Sequence, residues 1–241
     1  MDNRTLSIVI PTYNRYQMTL ESFVQVLDDP RVDDIVIVDD CSTDDSYEQL
    51  LTYKDHIQET LVNTTIEIYQ NEKNIDCYQN KKTAVEYSTN EWCILLDSDN
   101  IIDKTYLDKL FEITDWSVDT IYTPSFAKPH FDFRSFAGAT IHKNNVAQLL
   151  HQFSNLEVCL NACNYFVNRE EYLLCFDGSK EPVTSDSIFY CYNWLRSGNQ
   201  IEVVSGLEYE HRIHDGSHYR NNNHKTPAGF HQEILRKLSQ L

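Results

Sequence analysis

The chain has 241 residues and a formal net charge of −17, with 37 acidic against 20 basic side chains. Charge of that sign and size is repelled by nucleic acid and by anionic membrane surfaces, so neither is expected as a partner. A phosphorylated small molecule stays open to it, provided a cation or a local basic patch mediates.

A chain of this length can bury a full core as one large α/β domain, and no Gly/Ser/Pro-rich linker divides it. The opening residues lack a basic start and a long apolar stretch, and nowhere do about 18 apolar residues run together. No signal peptide and no membrane span are expected, which fits a cytoplasmic location. Seven cysteines without CxxC pairs or zinc-type spacing are read as reduced thiols.

Residues 6–10 form a short Ile/Val-rich run closed by Pro11, which predicts a buried strand followed by the loop Thr12-Tyr13-Asn14-Arg15. A helix is expected over residues 16–27, with Leu20, Phe23, Val24 and Leu27 on one face, before Asp28-Asp29-Pro30 stops it. Residues 35–38 predict a second buried strand that ends on Asp39-Asp40. Residues 41–45 then supply capping chemistry for a helix carrying Tyr47, Leu50, Leu51 and Lys54. Residues 66–69 predict a third strand, and 71–76 a polar loop. A helix with Tyr78, Lys81, Lys82 and Val85 leads back to a strand at 92–96. Lysines on such a helix are mostly solvated, although these two are expected to open onto the same sheet edge.

That last strand stops on Asp97-Ser98-Asp99, followed at once by Asn100. Strand side chains alternate, so two carboxylates one residue apart share a face. Two hard oxygen ligands suit Mg²⁺ or Mn²⁺, which would in turn hold the diphosphate of a nucleotide. Taken alone, Asp-x-Asp is equally a solvated acidic turn. Its neighbours decide the matter: residues 12–15, 39–40 and 97–99 all follow strands in an alternating strand-helix pattern. Such a pattern builds a parallel sheet that binds ligands beyond the carboxyl ends of its strands.

The second half is less regular. Ile102, Tyr106, Leu107, Leu110 and Phe111 make a helical stripe assigned to core packing, and residues 120–123 predict a strand. The alternating run 131–136, with Phe131, Phe133 and Phe136, fits an edge strand, a sugar-binding wall or plain packing. Helices are expected over 146–153 and 169–174, and a strand containing Asn164 over 161–167. An amphipathic helix with Ile188, Phe189, Tyr192 and Leu195 follows residues 183–187 and stops at Gly198-Asn199. Asp186 falls in its first turn, where a carboxylate either stabilises the helix dipole by about 0.3–1 kcal/mol or accepts a proton. A late strand is read at 201–204. His211, His214 and His218 then form a cluster open to three readings: surface chance, a pH-sensitive patch or metal ligation. The tail 227–241 predicts a helix with Pro227 in its first turn and Ile234, Leu235 and Leu238 facing inward.

Three ordered stretches carry a resemblance. Residues 7–15 (SIVIPTYNR), 37–44 (IVDDCSTD) and 95–99 (LLDSD) resemble the signatures of family-2 glycosyltransferases with the GT-A fold. The second half is similar more sparsely, through residues 164–166, 176–177, Asp186, 195–199 and His211.

The resemblance implies a single GT-A, Rossmann-like α/β domain over 1–241, with a central mostly parallel sheet flanked by helices. Residues 1–125 would form its nucleotide-sugar half, 126–225 its acceptor half and 226–241 a C-terminal helix. It further implies that Thr12 and Tyr13, with Pro11 and Arg15, line the nucleotide pocket, and that Asp39 or Asp40 accepts a hydrogen bond from the base. Asp97, Ser98 and Asp99 would hold ribose and a Mn²⁺ or Mg²⁺ ion, with His211 as a late metal ligand and Asp186 as the catalytic base. Where the family carries a glycine-containing loop and Arg-Asn, this chain has Asn74 and later Lys81, which supplies positive charge without arginine's planar fork.

Inverting transfer needs one carboxylate to take the acceptor's hydroxyl proton and a cation to neutralise the departing diphosphate. A carboxylate at the base favours a ring N–H, hence uracil or guanine, and UDP-sugar is the first choice of donor. The acceptor would be a glycan, a protein or a small molecule. One alternative is a catalytically degenerate module that binds a nucleotide sugar or glycan. A sugar nucleotidyltransferase is disfavoured, because no glycine-rich phosphate loop follows the first strand.

Overall fold

The computed structural model describes residues 4–162, 164–179 and 182–241. Its first half alternates strictly: β1 (Leu6–Thr12), α1 (Tyr16–Phe23), β2 (Val32–Asp39), α2 (Ser46–Ile57), β3 (Thr65–Gln70), α3 (Asp76–Tyr87), β4 (Trp92–Leu95) and α4 (Lys104–Phe111). Next come β5 (Thr120–Lys128), the two-residue β6 (Phe131–Asp132), β7 (Thr140–His142), α5 (Val146–Gln152) and the short α6 (Leu156–Leu160). The chain closes with β8 (Tyr165–Asn168), α7 (Arg169–Cys175), α8 (Asp186–Arg196), β9 (Gln200–Glu210), α9 (His218–Asn222) and α10 (Phe230–Leu238).

One sheet runs through the molecule in the order β3-β2-β1-β4-β8-β5-β9-β7, with β6 attached to β5. β1 to β4 are mutually parallel, β8 is antiparallel to both β4 and β5, and β5 is parallel to β9. Six strands therefore share one direction, and their carboxyl ends meet at one edge. The strands of the first half read as unbroken apolar runs because helices cover both faces of the sheet. Every residue of β1 is buried, as are seven of the eight in β2. Each Ile and Val there contributes roughly 1.5–3 kcal/mol by leaving water.

Several boundaries depart from the sequence expectations. The first helix stops at Phe23 and tightens into a 3-10 turn over Val24–Val26, after which Leu27 is extended and Asp28 takes a left-handed φ of 61°. The strand expected at 161–167 begins only at Tyr165, since Asn164 also has φ 67° and breaks extended geometry. The tail helix starts at Phe230 rather than around Pro227: Gly229 is its N-cap at φ 82°, so the proline lies in the preceding turn. Residues 131–136 divide their duties. Phe131 and Asp132 pair with β5, while Phe133 and Phe136 are buried in the core. No helix among the described residues is long and apolar enough to cross a membrane.

Candidate functional site

The carboxyl edge of the sheet opens into a cavity of about 1080 Å³. Of the residues selected from the sequence, Pro11, Thr12, Tyr13, Arg15, Asp40, Asn74, Lys81, Asp97, Ser98, Asp99, Asp186 and His211 all line it. Asp39 does not. It is fully buried, accepts hydrogen bonds from the Ser42 N–H (2.8 Å), the Gln70 amide (3.0 Å) and the Ser42 hydroxyl, and braces the loop after β2. Neighbouring residues at a strand end point to opposite sides, so only one of the two aspartates faces the cavity. That one is Asp40. Burial pushes its carboxyl above the ordinary range, against the pull of hydrogen bonds from Ile75 N–H (2.8 Å) and the Asn71 amide (2.9 Å).

The Asp97-Ser98-Asp99 turn is held from both sides. Asn164 Oδ1 accepts the Asp97 N–H at 2.8 Å, and the Arg212 guanidinium donates to the Asp99 carbonyl and to the Met18 carbonyl (2.9 Å). The two carboxylates have different partners. Asp97 Oδ1 lies 3.2 Å from Lys81 Nζ, whereas Asp99 Oδ2 receives Arg15 Nη1 at 2.7 Å and His214 Nε2 at 3.0 Å. Burial raises the Asp97 carboxyl beyond what the attraction of Lys81 offsets, and the nearby charges of Asp99 and Asp186 raise it further. Burial also acts on Asp99, but the His214 hydrogen bond and the Arg15 charge outweigh it and hold that carboxyl low.

Asp186 is the first residue of α8 and nine-tenths buried. Its Oδ2 receives Lys81 Nζ at 2.7 Å, so one ammonium from α3 ties the helix start to the strand-end carboxylate. Lys82, expected beside it, turns away to Glu86. The histidine cluster also divides. His214 touches Asp99, while His211 Nδ1 sits 3.0 Å from His130 Nδ1, and burial with the His130 charge lowers the His211 pKa. The side chain of His218 lies outside the described residues.

Two cavity residues have no local sequence signature. Glu157 from α6 and His231 from α10 meet at 3.2 Å, and the other ring nitrogen of His231 lies 3.2 Å from Ser185 Oγ. Backbone strain gathers around the same opening. Asn14, Cys41, Asp76, Asn164 and Val183 all have positive φ, and each is within two residues of the cavity lining. A β-branched residue such as Val183 rarely adopts φ 50°, and costs of this kind concentrate where function imposes geometry.

Carboxylates at strand ends suit a hard divalent cation. Among the described residues no three His, Cys, Asp or Glu side chains converge as a ready metal cage.

Comparison with known proteins identifies the family and the fold. A family model described as Glycosyl transferase family 2 matches residues 7–173. No curated protein matches the chain. Among solved structures, S. aureus TarS 1-349 in complex with UDP-GlcNAc superposes with a TM-score of 0.69 at 17% identity, over 97% of this chain and 65% of that one. The same protein with UDP gives 0.66 at 18%, over 97% and 64%. The mannosyltransferase PcManGT from Pyrobaculum calidifontis, in complex with GDP-Man and Mn²⁺, gives 0.63 at 14%, over 99% and 70%. The chain thus spans just under two thirds of those TarS chains, and the fold it shares with them is GT-A. Since the family model covers well over half of its length, the chain belongs to glycosyltransferase family 2.

Proposed function

We propose that the chain is an inverting glycosyltransferase that moves a sugar from a UDP-sugar to an acceptor hydroxyl, with Asp186 as general base. The observation that carries this reading is the Asp97, Asp99 and Asp186 carboxylates on one cavity, with Lys81 bridging Asp97 and Asp186. Solved relatives in complex with UDP-GlcNAc and with GDP-Man and Mn²⁺ support a nucleotide-sugar donor and a divalent metal in the wider fold group.

In the proposed reaction the acceptor oxygen attacks the anomeric carbon from the face opposite the diphosphate. The new C–O bond forms as the bond to the diphosphate breaks, and Asp186 takes the hydroxyl proton, so no covalent intermediate is needed. Asp40 accepts the ring N–H of uracil, and the exposed Tyr13 ring on the same cavity lining is available for stacking. Arg15 and Lys81 bring positive charge to the diphosphate side of the cavity in a protein that is otherwise strongly acidic. Asp97 and Asp99, with His214 or His211, would hold Mn²⁺ or Mg²⁺, which when bound supplies charge neutralisation to the leaving group.

The test is transfer, or slow donor hydrolysis, across a panel of nucleotide sugars with Mn²⁺, repeated with Asp186→Asn. Turnover with a UDP-sugar that falls by about 10²–10⁴ in the variant is the expected result. A variant as active as the parent would remove Asp186 from its role. Tight UDP binding without turnover on any acceptor would favour the binding-module alternative.

A further inference from the structure

We propose that the cavity wall formed by Phe131, Glu157, Asn161, Ser185 and His231 is a subsite for a neutral, hydroxyl-rich acceptor of the pyranoside class. This rests on the reading above, because it names the second substrate of the same site.

Size is the first argument. A cavity of about 1080 Å³ sits at the top of the roughly 300–1,000 Å³ range of ligand pockets, and its lining runs from the strand-end loops out to Phe131, Glu157 and His231. Charge is the second. Basic lining residues come from elsewhere: Arg15, Lys81, Arg212, Arg220 and Lys225. Among the described residues, the side chains that β6, α6 and the start of α8 give to the cavity include no Lys or Arg and do include Glu157 and Asp186. A phosphorylated acceptor placed there would meet Glu157, and the Lys81 ammonium beside Asp186 is already held by Asp97 and Asp186, which disfavours it.

Polar geometry is the third argument. Ser185 is 3% exposed and its Oγ lies 3.2 Å from His231 Nδ1, while His231 Nε2 lies 3.2 Å from Glu157 Oε1. This hydroxyl-imidazole-carboxylate chain fixes the ring and leaves Glu157, almost half exposed, facing the cavity as an acceptor for sugar hydroxyls. Asn161 adds an amide whose oxygen accepts the Ile188 N–H at 3.3 Å, which pins it to the helix that bears Asp186.

This wall also carries an exposed aromatic ring. Phe131 is 36% exposed, with its ring 5.0 Å from that of His211, and Val158 and Ala162 line the same cavity. One aromatic face suits the C–H face of a sugar ring and is too short for an acyl chain. Because Ser185 directly precedes Asp186, a pyranoside bound here lies next to the proposed base.

Saturation-transfer NMR on the full chain with UDP and diamagnetic Mg²⁺ tests this, using the methyl glycosides of glucose, galactose, mannose and N-acetylglucosamine, with glucose 6-phosphate as contrast. We expect ring-proton saturation of at least one methyl glycoside, none of the phosphate, and about tenfold weaker glycoside binding in Phe131→Ala and in Glu157→Gln. Both side chains are substantially exposed, and UDP affinity within twofold of the parent will show that the variants are folded. UDP binding without any glycoside signal, preferential binding of glucose 6-phosphate, or glycoside binding indifferent to both substitutions would each overturn the subsite alone. Loss of UDP binding in the parent itself would instead overturn the donor reading on which it stands.

Discussion

Lys81 Nζ lies 2.7 Å from Asp186 Oδ2, and both side chains are about nine-tenths buried. The same ammonium reaches Asp97 at 3.2 Å, so one cation from α3 serves two carboxylates. Removing it leaves both without their shared partner, and breaking a buried pair in this way costs about 3–5 kcal/mol in closed interiors. At a cavity wall with some solvent access the cost falls toward the lower end, about 3 kcal/mol for Lys81→Met. Asp186→Asn keeps Lys81 paired with Asp97 and should cost only about 1 kcal/mol. Thermal melts and transfer assays on both variants are therefore expected to separate: Lys81→Met loses stability and activity together, whereas Asp186→Asn loses activity with a nearly parental melting temperature.

Asp99 Oδ2 is shared by Arg15 and His214, while His211 directs its Nδ1 toward His130. If a divalent cation joins this turn, His214 is better placed to accompany Asp99 than His211. Calorimetry of UDP with and without Mn²⁺ checks this. We expect Asp99→Ala to weaken Mn²⁺-supported UDP binding at least tenfold, His214→Ala to weaken it more than His211→Ala, and all three to resemble the parent once EDTA is present. Equal effects with and without EDTA would assign these residues to direct nucleotide contacts instead.

The first half of the fold was legible because physics writes it locally. A strand buried on both faces must be apolar throughout, so residues 35–38 announce β2 without help from the rest of the chain. The three-residue β7 and the five-residue α6 are too short to carry a period, and β9 runs on through Gly206 to Glu210, where the pattern turns polar. The site divides the same way. Asp97 and Asp99 declare a shared face by their spacing, and the same alternation could have chosen Asp40 over Asp39. Glu157, Ser185 and His231 meet only because α6, α8 and α10 converge, and no window of sequence contains that meeting.

Asp29 and Arg31 supply a pH-dependent prediction remote from the cavity. Asp29 is 4% exposed and receives Arg31 Nε at 2.8 Å and Nη2 at 3.0 Å. The Arg31 hydrogen bond outweighs burial and holds its carboxyl below the usual range. A lowered folded-state pKa means that the unfolded chain takes up the proton first. The stabilisation is thus complete above the ordinary aspartate value of about 3.9 and fades as pH falls through the folded-state value. Asp29→Asn should cost about 1–2 kcal/mol at pH 7 and lose that deficit progressively as pH falls below about 3.9. Urea midpoints of parent and variant will converge over that fall if the assignment holds, and a constant gap would argue against it.

Asn164 links backbone strain to the metal-type turn. It is fully buried at φ 67°, its Oδ1 accepts the Asp97 N–H at 2.8 Å, and its carbonyl accepts the Tyr106 hydroxyl. Two costs can be separated here by choice of substitution. Alanine loses the side-chain acceptor and must still hold a left-handed backbone, whereas glycine loses the acceptor but adopts that backbone readily. An unpaired N–H at Asp97 costs about 1–3 kcal/mol in either case, and the left-handed conformation adds roughly 1 kcal/mol for alanine alone. We expect Asn164→Ala to melt below Asn164→Gly, and both below the parent. The activity effect should follow the lost hydrogen bond rather than the strain, because it is Asp97 that moves. UDP affinity with Mn²⁺ should therefore fall by a similar factor, about tenfold, in both variants. If glycine restored affinity as well as part of the stability, the role of Asn164 would be its backbone shape and not its grip on Asp97.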